Sequence, residues 1–139
     1  MDAVDVAAQL RAVPLFSHLN DPDLERVAGR MKQVRFSSGS MVATQGQHGV
    51  GFHLVIDGAA EVTKDGSKVA ELGPGGYFGE IGLIDGGARS ATVTATSDLT
   101  TLSLVSWDFK PLLDNPEFTK ALLIGLCRLA RQERGEKPA

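Results

Sequence analysis

The stretch from Phe78 to Val93 reads FGEIGLIDGGARSATV, and it interrupts a series of short strand patterns. Residues 80–84 have the spacing of a helical turn, whereas residues 91–95 alternate small apolar residues with threonines, as a half-buried strand does. The loop Asp85-Gly86-Gly87-Ala88 joins the two patterns and ends at Arg89. The segment therefore predicts a short helix and a glycine-rich loop inserted between strands.

The sequence around this stretch predicts further short strands. Glycines recur from Gly39 to Gly76 and separate runs in which side chains alternate, such as residues 52–56. Asp65-Gly66 lies between two of these runs, and this dipeptide favours the two-residue turn of a β-hairpin. Many short strands separated by turns indicate a closed or two-sheet β structure.

Helical patterns lie on both sides of the β-rich middle. Val6, Leu10 and Val13 follow helical spacing before Pro14. Asp21 is predicted to cap a second helix, with proline at its first position, and Asn115 to cap a long C-terminal helix. The apolar residues of that last helix lie on more than one side, which is typical of a helix that is buried, covers something or meets a partner.

These patterns together predict an α+β fold, in which a jelly-roll-like β barrel, or β roll, is flanked by helices. We expect a single domain over residues 1–139, with a helical lead-in at 1–31, the β roll at 32–105 and C-terminal hinge and lid helices at 106–134. Trp107 is predicted to anchor the hinge helix in the core. Cys127 is predicted to be buried and unreactive because it lies in an apolar stretch.

Composition limits the classes of function. The 139 residues are 42% apolar and 22% charged, with a net charge of -3, as in ordinary globular proteins. No basic cluster stands out, which argues against direct nucleic acid binding. The longest apolar run, residues 121–127, is too short to span a bilayer, and the acidic N-terminus does not resemble a signal peptide. The lone cysteine favours a reducing compartment, so we expect a cytoplasmic protein.

The chemistry of the central segment suggests a ligand with one phosphate. Arg89 stands just before an apolar strand, where its planar guanidinium suits a phosphate, and Ser90 adds a hydroxyl. Backbone N–H groups at the start of the helical turn also favour an anion. Glu80 would repel a phosphate, but it would accept a hydrogen bond from a sugar hydroxyl. A nucleotide with a single phosphate satisfies all of these groups.

The segment also resembles a known motif. Phe78-Gly79-Glu80-Ile81-Gly82 followed by Arg89-Ser90-Ala91-Thr92-Val93 is similar to the phosphate-binding cassette of the cyclic nucleotide-binding domain family. That family includes the catabolite activator protein, the regulatory subunits of protein kinase A and cyclic nucleotide-gated channels. Residues 14–16 resemble the family's helical lead-in, residues 46–58 its β roll, and the helices after Ser106 its hinge and lid.

The resemblance implies a role for each matching residue. Glu80 would accept from the ribose 2′-hydroxyl, Gly79 would contact the ribose, and Arg89 would pair with the cyclic phosphate. Three backbone N–H groups would help to hold that phosphate, those of Ile81, Gly82 and Ser90. Val62 and Leu72 are candidate walls of the base pocket. The implied ligand is cAMP, although the Ser90 hydroxyl could contact either the phosphate or a guanine amino group and so leaves cGMP open.

One position departs from the family pattern. Ala88 stands where the family often has proline, which predicts a looser loop without loss of a ligand contact. The resemblance implies a sensing module and not an enzyme. Its C-terminal helix would move on binding, and an unidentified protein partner or effector domain would respond to that movement.

Two other interpretations stay open. The chain could be a β-roll protein-interaction module that no longer binds nucleotide, although the intact Glu80 and Arg89 argue against it. It could also be a cupin-like metal-binding protein, for which His48, His53 and Glu61 are the candidate ligands. The two histidines are five positions apart, unlike the closely spaced His-x-His of such enzymes, so we expect no metal.

Overall fold

The computed structural model describes residues 2–49 and 51–135 of the chain. They form two compact units, a β unit that spans Met31–Asp108 and a helical unit made of the residues before and after it. The single-domain boundaries given above stay a prediction.

Among its described residues, the β unit contains eight strands in two four-stranded antiparallel sheets. The sheets have the strand orders β1-β8-β3-β6 and β2-β7-β4-β5. This arrangement confirms the predicted β roll, although the two sheets do not close into a barrel. The strands are β1 (Lys32–Phe36), β2 (Met41–Ala43), β3 (Gly51–Asp57), β4 (Ala60–Lys64), β5 (Ser67–Leu72), β6 (Tyr77–Phe78), β7 (Thr92–Ala95) and β8 (Leu99–Val105).

The hairpin predicted at Asp65-Gly66 is confirmed. Lys64 pairs with Ser67 across the turn that joins β4 and β5. Asp65 and Gly66 have φ angles of 52° and 81°, the left-handed conformation that a tight turn of this type requires at both central positions. The dipeptide therefore specifies the turn and the register of the two residue pairs beside it, and an irregularity between Val62 and Thr63 shifts the register of the remaining pairs.

The β unit holds an aliphatic cluster drawn from both sheets. Its members are small or branched side chains that are at least nine-tenths buried: Ala43, Val55, Ala60, Val93, Ala95 and Leu99. On β7 the cluster takes every second residue, as the predicted alternation requires. On β3 both Leu54 and Val55 are fully buried, because that strand is covered on both faces.

The helical unit is built from short elements and one long helix. Asn20 caps the second helix by accepting from the backbone N–H of Asp23 at 2.9 Å, so the prediction of Asp21 as the cap was wrong by one residue. Asn115 caps the long helix, as predicted, by accepting from Glu117 N at 3.0 Å. The chain's helices are α1 (Ala3–Leu10), α2 (Asp21–Gly29), α3 (Gly82–Asp85), α4 (Ser106–Phe109) and α5 (Pro116–Glu133), with 3-10 turns at Pro14–Phe16 and Lys110–Asp114.

Helix α5 packs on the first 3-10 turn through a glycine. A Cβ added at Gly125 would overlap the carbonyl oxygen of Leu15, so the two backbones approach more closely than any side chain allows. Arg128 Nη1 donates to Ser17 Oγ at 3.1 Å on the next turn of the helix. The turn and α5 are therefore held together by both packing and a hydrogen bond.

Two predicted core positions were wrong. Trp107 is 65% exposed, and Cys127 is exposed as well. The buried stripe of α5 runs through Phe118, Leu122 and Gly125. Cys127 lies two residues beyond Gly125, which is roughly 200° around the helix, and therefore faces away from that stripe.

Among the helices in the described ranges 2–49 and 51–135, none is both long and apolar enough to cross a membrane.

Candidate functional site

The segment that interrupts the strand pattern folds as β6, a glycine bend, the four-residue helix α3 and a loop. Gly79 turns the chain out of β6 with a φ of 88°, and Gly86 ends α3 with a φ of 62°. Both angles favour glycine. Gly87 N then donates to Asp85 Oδ1 at 2.8 Å, which fixes the start of the loop. These bends bring the chain back to β7 with Arg89 just before that strand.

A second loop, residues 44–49, holds the backbone around Arg89. Arg89 N donates to Gln47 O at 2.8 Å, and Gly46 N donates to Arg89 O at 2.9 Å. His48 Nδ1 lies 2.9 Å from Gly86 O. Both backbone groups of Arg89 are therefore paired with one loop, and the direction of its side chain is set from there.

The side chain of Arg89 is half-buried and passes between two glycines. Its Nη2 donates to the carbonyl oxygen of Gly51 at 2.9 Å, and its Cζ lies 5.8 Å from the ring centroid of Phe78. A Cβ added at Gly49 would lie 2.7 Å from Arg89 Cδ and overlap its guanidinium, and one at Gly79 would overlap Nη1. Glycine at these two positions thus provides the space that the guanidinium occupies.

Burial and neighbouring charge oppose each other at Arg89 and act in the same direction at Tyr77 and His53. Burial lowers the pKa of Arg89, and the carboxylate of Glu80 partly offsets that effect. Burial raises the pKa of Tyr77, and Glu80 raises it further. Burial also lowers the pKa of His53 to about 4, and the charge of Arg89 adds to this. The site therefore combines one half-buried cation, one carboxylate that acts on it, and a histidine that is neutral at pH 7.

The other predicted site residues differ from one another in their exposure and in the element that carries them. Ile81 precedes the first residue of α3, Gly82, so the N–H groups of both stand at the start of that helix, where acceptors within a helix are lacking. Ser90 is exposed. Val62 and Leu72 are half-buried, and both pack against the aliphatic cluster. The structure brings Gly79, Glu80 and Arg89 to one place.

The three candidate metal ligands are engaged elsewhere. His48 is exposed beside Gly86, and His53 Nδ1 lies 3.0 Å from Thr101 Oγ1. Glu61 stands on β4, paired with Glu71 and Thr94 in the neighbouring strands. Within residues 2–49 and 51–135, no group of three or more His, Cys, Asp or Glu side chains could hold a metal ion.

The surroundings of Arg89 were not predicted from the sequence. Gly49, Gly51 and Phe78 each contact or make room for its side chain, yet no sequence pattern assigned them a role beside Arg89. The available signal was the run of glycines at 46, 49 and 51, which is denser than a strand connection needs. Nothing in the sequence pairs that run with Arg89, because 38 positions separate Gly51 from it.

The family model described as "Cyclic nucleotide-binding domain" matches residues 33–115, which include the whole segment just described. The chain belongs to this family. The match covers more than half of the 139 residues and extends from β1 to Asn115, the cap of α5. The resemblance noted in the sequence is thereby confirmed.

Individual relatives agree with the family assignment. The chain is similar to a cAMP-dependent protein kinase regulatory subunit of Yarrowia lipolytica, with 38% identity over 111 residues that make up 80% of this chain and 27% of that subunit. It therefore spans about a quarter of that relative's length.

Solved structures show the same fold. The N-terminal domain of a transcriptional regulator from Streptomyces coelicolor A3(2) superposes with a TM-score of 0.78 at 30% identity, covering 94% of this chain and 99% of that one. The regulatory domain of Toxoplasma gondii PKA, crystallised with cAMP, gives 0.67 at 26% identity, covering 80% and 45%. The cyclic nucleotide-binding domain described here thus shares its fold with regulatory proteins.

Proposed function

We propose that this domain binds cAMP around Arg89 and Glu80. The observation that carries the proposal is the half-buried guanidinium of Arg89, held at the carbonyl of Gly51 and close enough to Glu80 for the two charges to interact. A guanidinium that has already lost part of its water shell binds a phosphate strongly, since little further desolvation is needed. The cAMP-bound Toxoplasma gondii domain, which shares the fold, supports the same ligand.

Each predicted site residue receives a role in this proposal. Arg89 pairs with the cyclic phosphate, and Glu80 accepts from the ribose 2′-hydroxyl. Gly79 lets the ribose approach the backbone. The backbone N–H groups of Ile81, Gly82 and Ser90 assist at the phosphate, while Val62 and Leu72 offer their half-buried surfaces to the base.

Calorimetric titration of the wild-type domain tests the proposal. We expect saturable heat with cAMP, and weaker binding of 2′-deoxy-cAMP by about tenfold, the effect of one lost charge-assisted hydrogen bond. In Glu80→Ala the two ligands should bind alike, because the acceptor of the 2′-hydroxyl is gone. A parallel titration with cGMP measures the preference between the two bases, which the exposed Ser90 leaves open. Absence of heat and of thermal stabilisation with both cyclic nucleotides would support the interaction-module alternative.

We also propose that binding changes the position of α5, and that a protein partner or an effector domain responds to this change. Ligand can shift such an equilibrium only by its difference in affinity for the two arrangements. Because Gly125 and Arg128 tie α5 to the 3-10 turn, we expect the helix and that turn to move together. Leu123, which is 57% exposed on α5, offers apolar surface to such a partner.

The exposed Cys127 provides a probe for this movement. A nitroxide on Cys127 and a second on Ser67→Cys, in the exposed β4–β5 hairpin, report the distance between α5 and the β unit. We expect cAMP to shift the measured distance distribution, and we expect no shift in Arg89→Ala. An unchanged distribution at saturating cAMP would contradict the movement while leaving binding intact.

We place this non-catalytic module in the cytoplasm, consistent with its single cysteine.

A further inference from the structure

The planar groups of Arg89, Phe78 and His53 form a stack at the candidate site. The guanidinium of Arg89 lies over the ring of Phe78, with Cζ 5.8 Å from the ring centroid. On this ring stacks the imidazole of His53, with centroids 5.0 Å apart and planes 17° from parallel. Phe78 and His53 are also direct partners in the register of β6 and β3, so the stack is part of the sheet.

His53 is held from two further directions. Its Nδ1 lies 3.0 Å from the hydroxyl oxygen of Thr101, a fully buried residue on β8. The ring of Phe36 approaches the imidazole edge-on, at 5.9 Å and 65°. Because both neighbours stand on strands paired with one another, the imidazole cannot turn without breaking contacts in the sheet.

His53 also lies beside the second support of Arg89. The carbonyl of Gly51 accepts the Arg89 hydrogen bond, and a Cβ at Gly51 would lie 3.9 Å from His53 Nε2. The imidazole is therefore adjacent to the carbonyl-bearing residue and to the aromatic ring that together fix the guanidinium. A neutral ring suits this place, because burial and Arg89 hold the pKa of His53 near 4.

We propose that His53 is a positioning residue for Arg89: by fixing the Phe78 ring and packing beside Gly51, it keeps the guanidinium in the orientation that receives a phosphate. The inference rests on the proposed function for its consequence in ligand affinity. It assigns to His53 a role that is neither metal binding nor direct contact with the nucleotide.

A double-mutant cycle on cAMP affinity tests this role. His53→Ala should weaken binding about tenfold, comparable to the loss of one desolvated cation–π contact. His53→Phe, which keeps an aromatic ring on Phe78, should stay within about twofold of wild type. In an Arg89→Ala background His53→Ala should have no further effect, since coupled residues are not additive. An equal tenfold loss in both backgrounds would overturn the proposal, because His53 would then act independently of Arg89.

A measurement without ligand separates this inference from the proposed function. In NMR titrations of the imidazole, Arg89→Ala should raise the pKa of His53 above that of the wild type. His53→Ala should shift and broaden the Arg89 Nε–H resonance, whereas His53→Phe should preserve it. If those signals do not respond, the positioning role fails even where cAMP binds. If they respond but wild type takes up no cyclic nucleotide, the positioning role stands and the proposed function fails.

Discussion

Two regions of the β unit, the aliphatic cluster and the surroundings of Arg89, are organised on opposite principles. The aliphatic cluster is filled by side chains that alternate along paired strands, so its contacts follow from the strand pattern. The Arg89 region is organised by missing side chains, because Gly49 and Gly79 leave room for a guanidinium that a carbonyl and an aromatic ring then hold. The first region supplies stability, and the second keeps a cation half-buried where it can receive an anion.

The contrast extends to charge. The aliphatic cluster contains no ionisable group. In the Arg89 region, by contrast, Glu80 raises the pKa of Arg89, and Arg89 together with burial lowers the pKa of His53. Changes in the two regions should therefore separate stability from ligand affinity.

The largest effect is expected on stability, from Leu99→Ala. Leu99 is 1% exposed within the aliphatic cluster, and removing its side chain should lower the free energy of unfolding by about 2–4 kcal/mol. Affinity for cAMP below the denaturation midpoint should change less than about twofold. Urea denaturation followed by circular dichroism measures the loss. Val69→Ala, at a 58% exposed position, is the control and should stay within about 0.5 kcal/mol. A large loss of affinity in Leu99→Ala would show that the aliphatic cluster and the Arg89 region do not contribute separately to stability and to ligand affinity.

Gly49→Ala should show the reverse pattern. The added methyl occupies the place of the guanidinium, so Arg89 must leave Gly51 and cAMP affinity should fall about tenfold or more. The free energy of unfolding should change by about 1 kcal/mol. Gly73→Ala serves as the matched control, because nothing lies within 4 Å of a Cβ there. Unaltered affinity in Gly49→Ala would show that the gap between the glycines is not needed for binding.

Acid should lower the stability of the domain through His53, which stacks on Phe78 beside Arg89. His53 has a folded-state pKa of about 4 against a usual value of 6.5, so the unfolded chain takes up a proton first as pH falls. Stability is therefore lost from pH 6.5 down to about 4, by about 2 kcal/mol between pH 7 and pH 5. Denaturation at several pH values measures this slope. His53→Phe should remove about 2 kcal/mol of this pH-dependent loss of stability. An identical slope in the variant would contradict the assignment.

The smallest effect is expected in the loop before Arg89. The bridge between His48 and Ala88 is flanked by hydrogen bonds from the N–H groups of Gly49 and Arg89. Ala88→Pro would leave both of these bonds in place and reduce the freedom of the unfolded chain. We expect a gain of about 0.4–1 kcal/mol in unfolding free energy, with cAMP affinity equal or slightly higher. Thermal melts detect such a gain, and a destabilised variant would mean that the loop cannot accept proline.

The aliphatic cluster could be predicted from the sequence, and the surroundings of Arg89 only in part. Alternation over residues 91–95, the Asp65-Gly66 turn and the Asn115 cap are local signals, and the structure bears out all three. The position of Trp107 was mispredicted because aromatic character alone does not show which side of a short helix is covered. Gly49 and Gly51 precede Arg89 by some forty residues in the sequence, so no local pattern predicts that they contact it.

The role of Arg89 in binding can be tested by calorimetric titration of wild type and Arg89→Ala with cAMP under identical conditions. We expect saturable binding by wild type and a loss of at least about 1.5–3 kcal/mol of binding free energy in Arg89→Ala, the worth of a charge-assisted hydrogen bond, with the fold unchanged by circular dichroism. Equal affinity in the two proteins would contradict this role, because the half-buried guanidinium would then have no part in holding the phosphate.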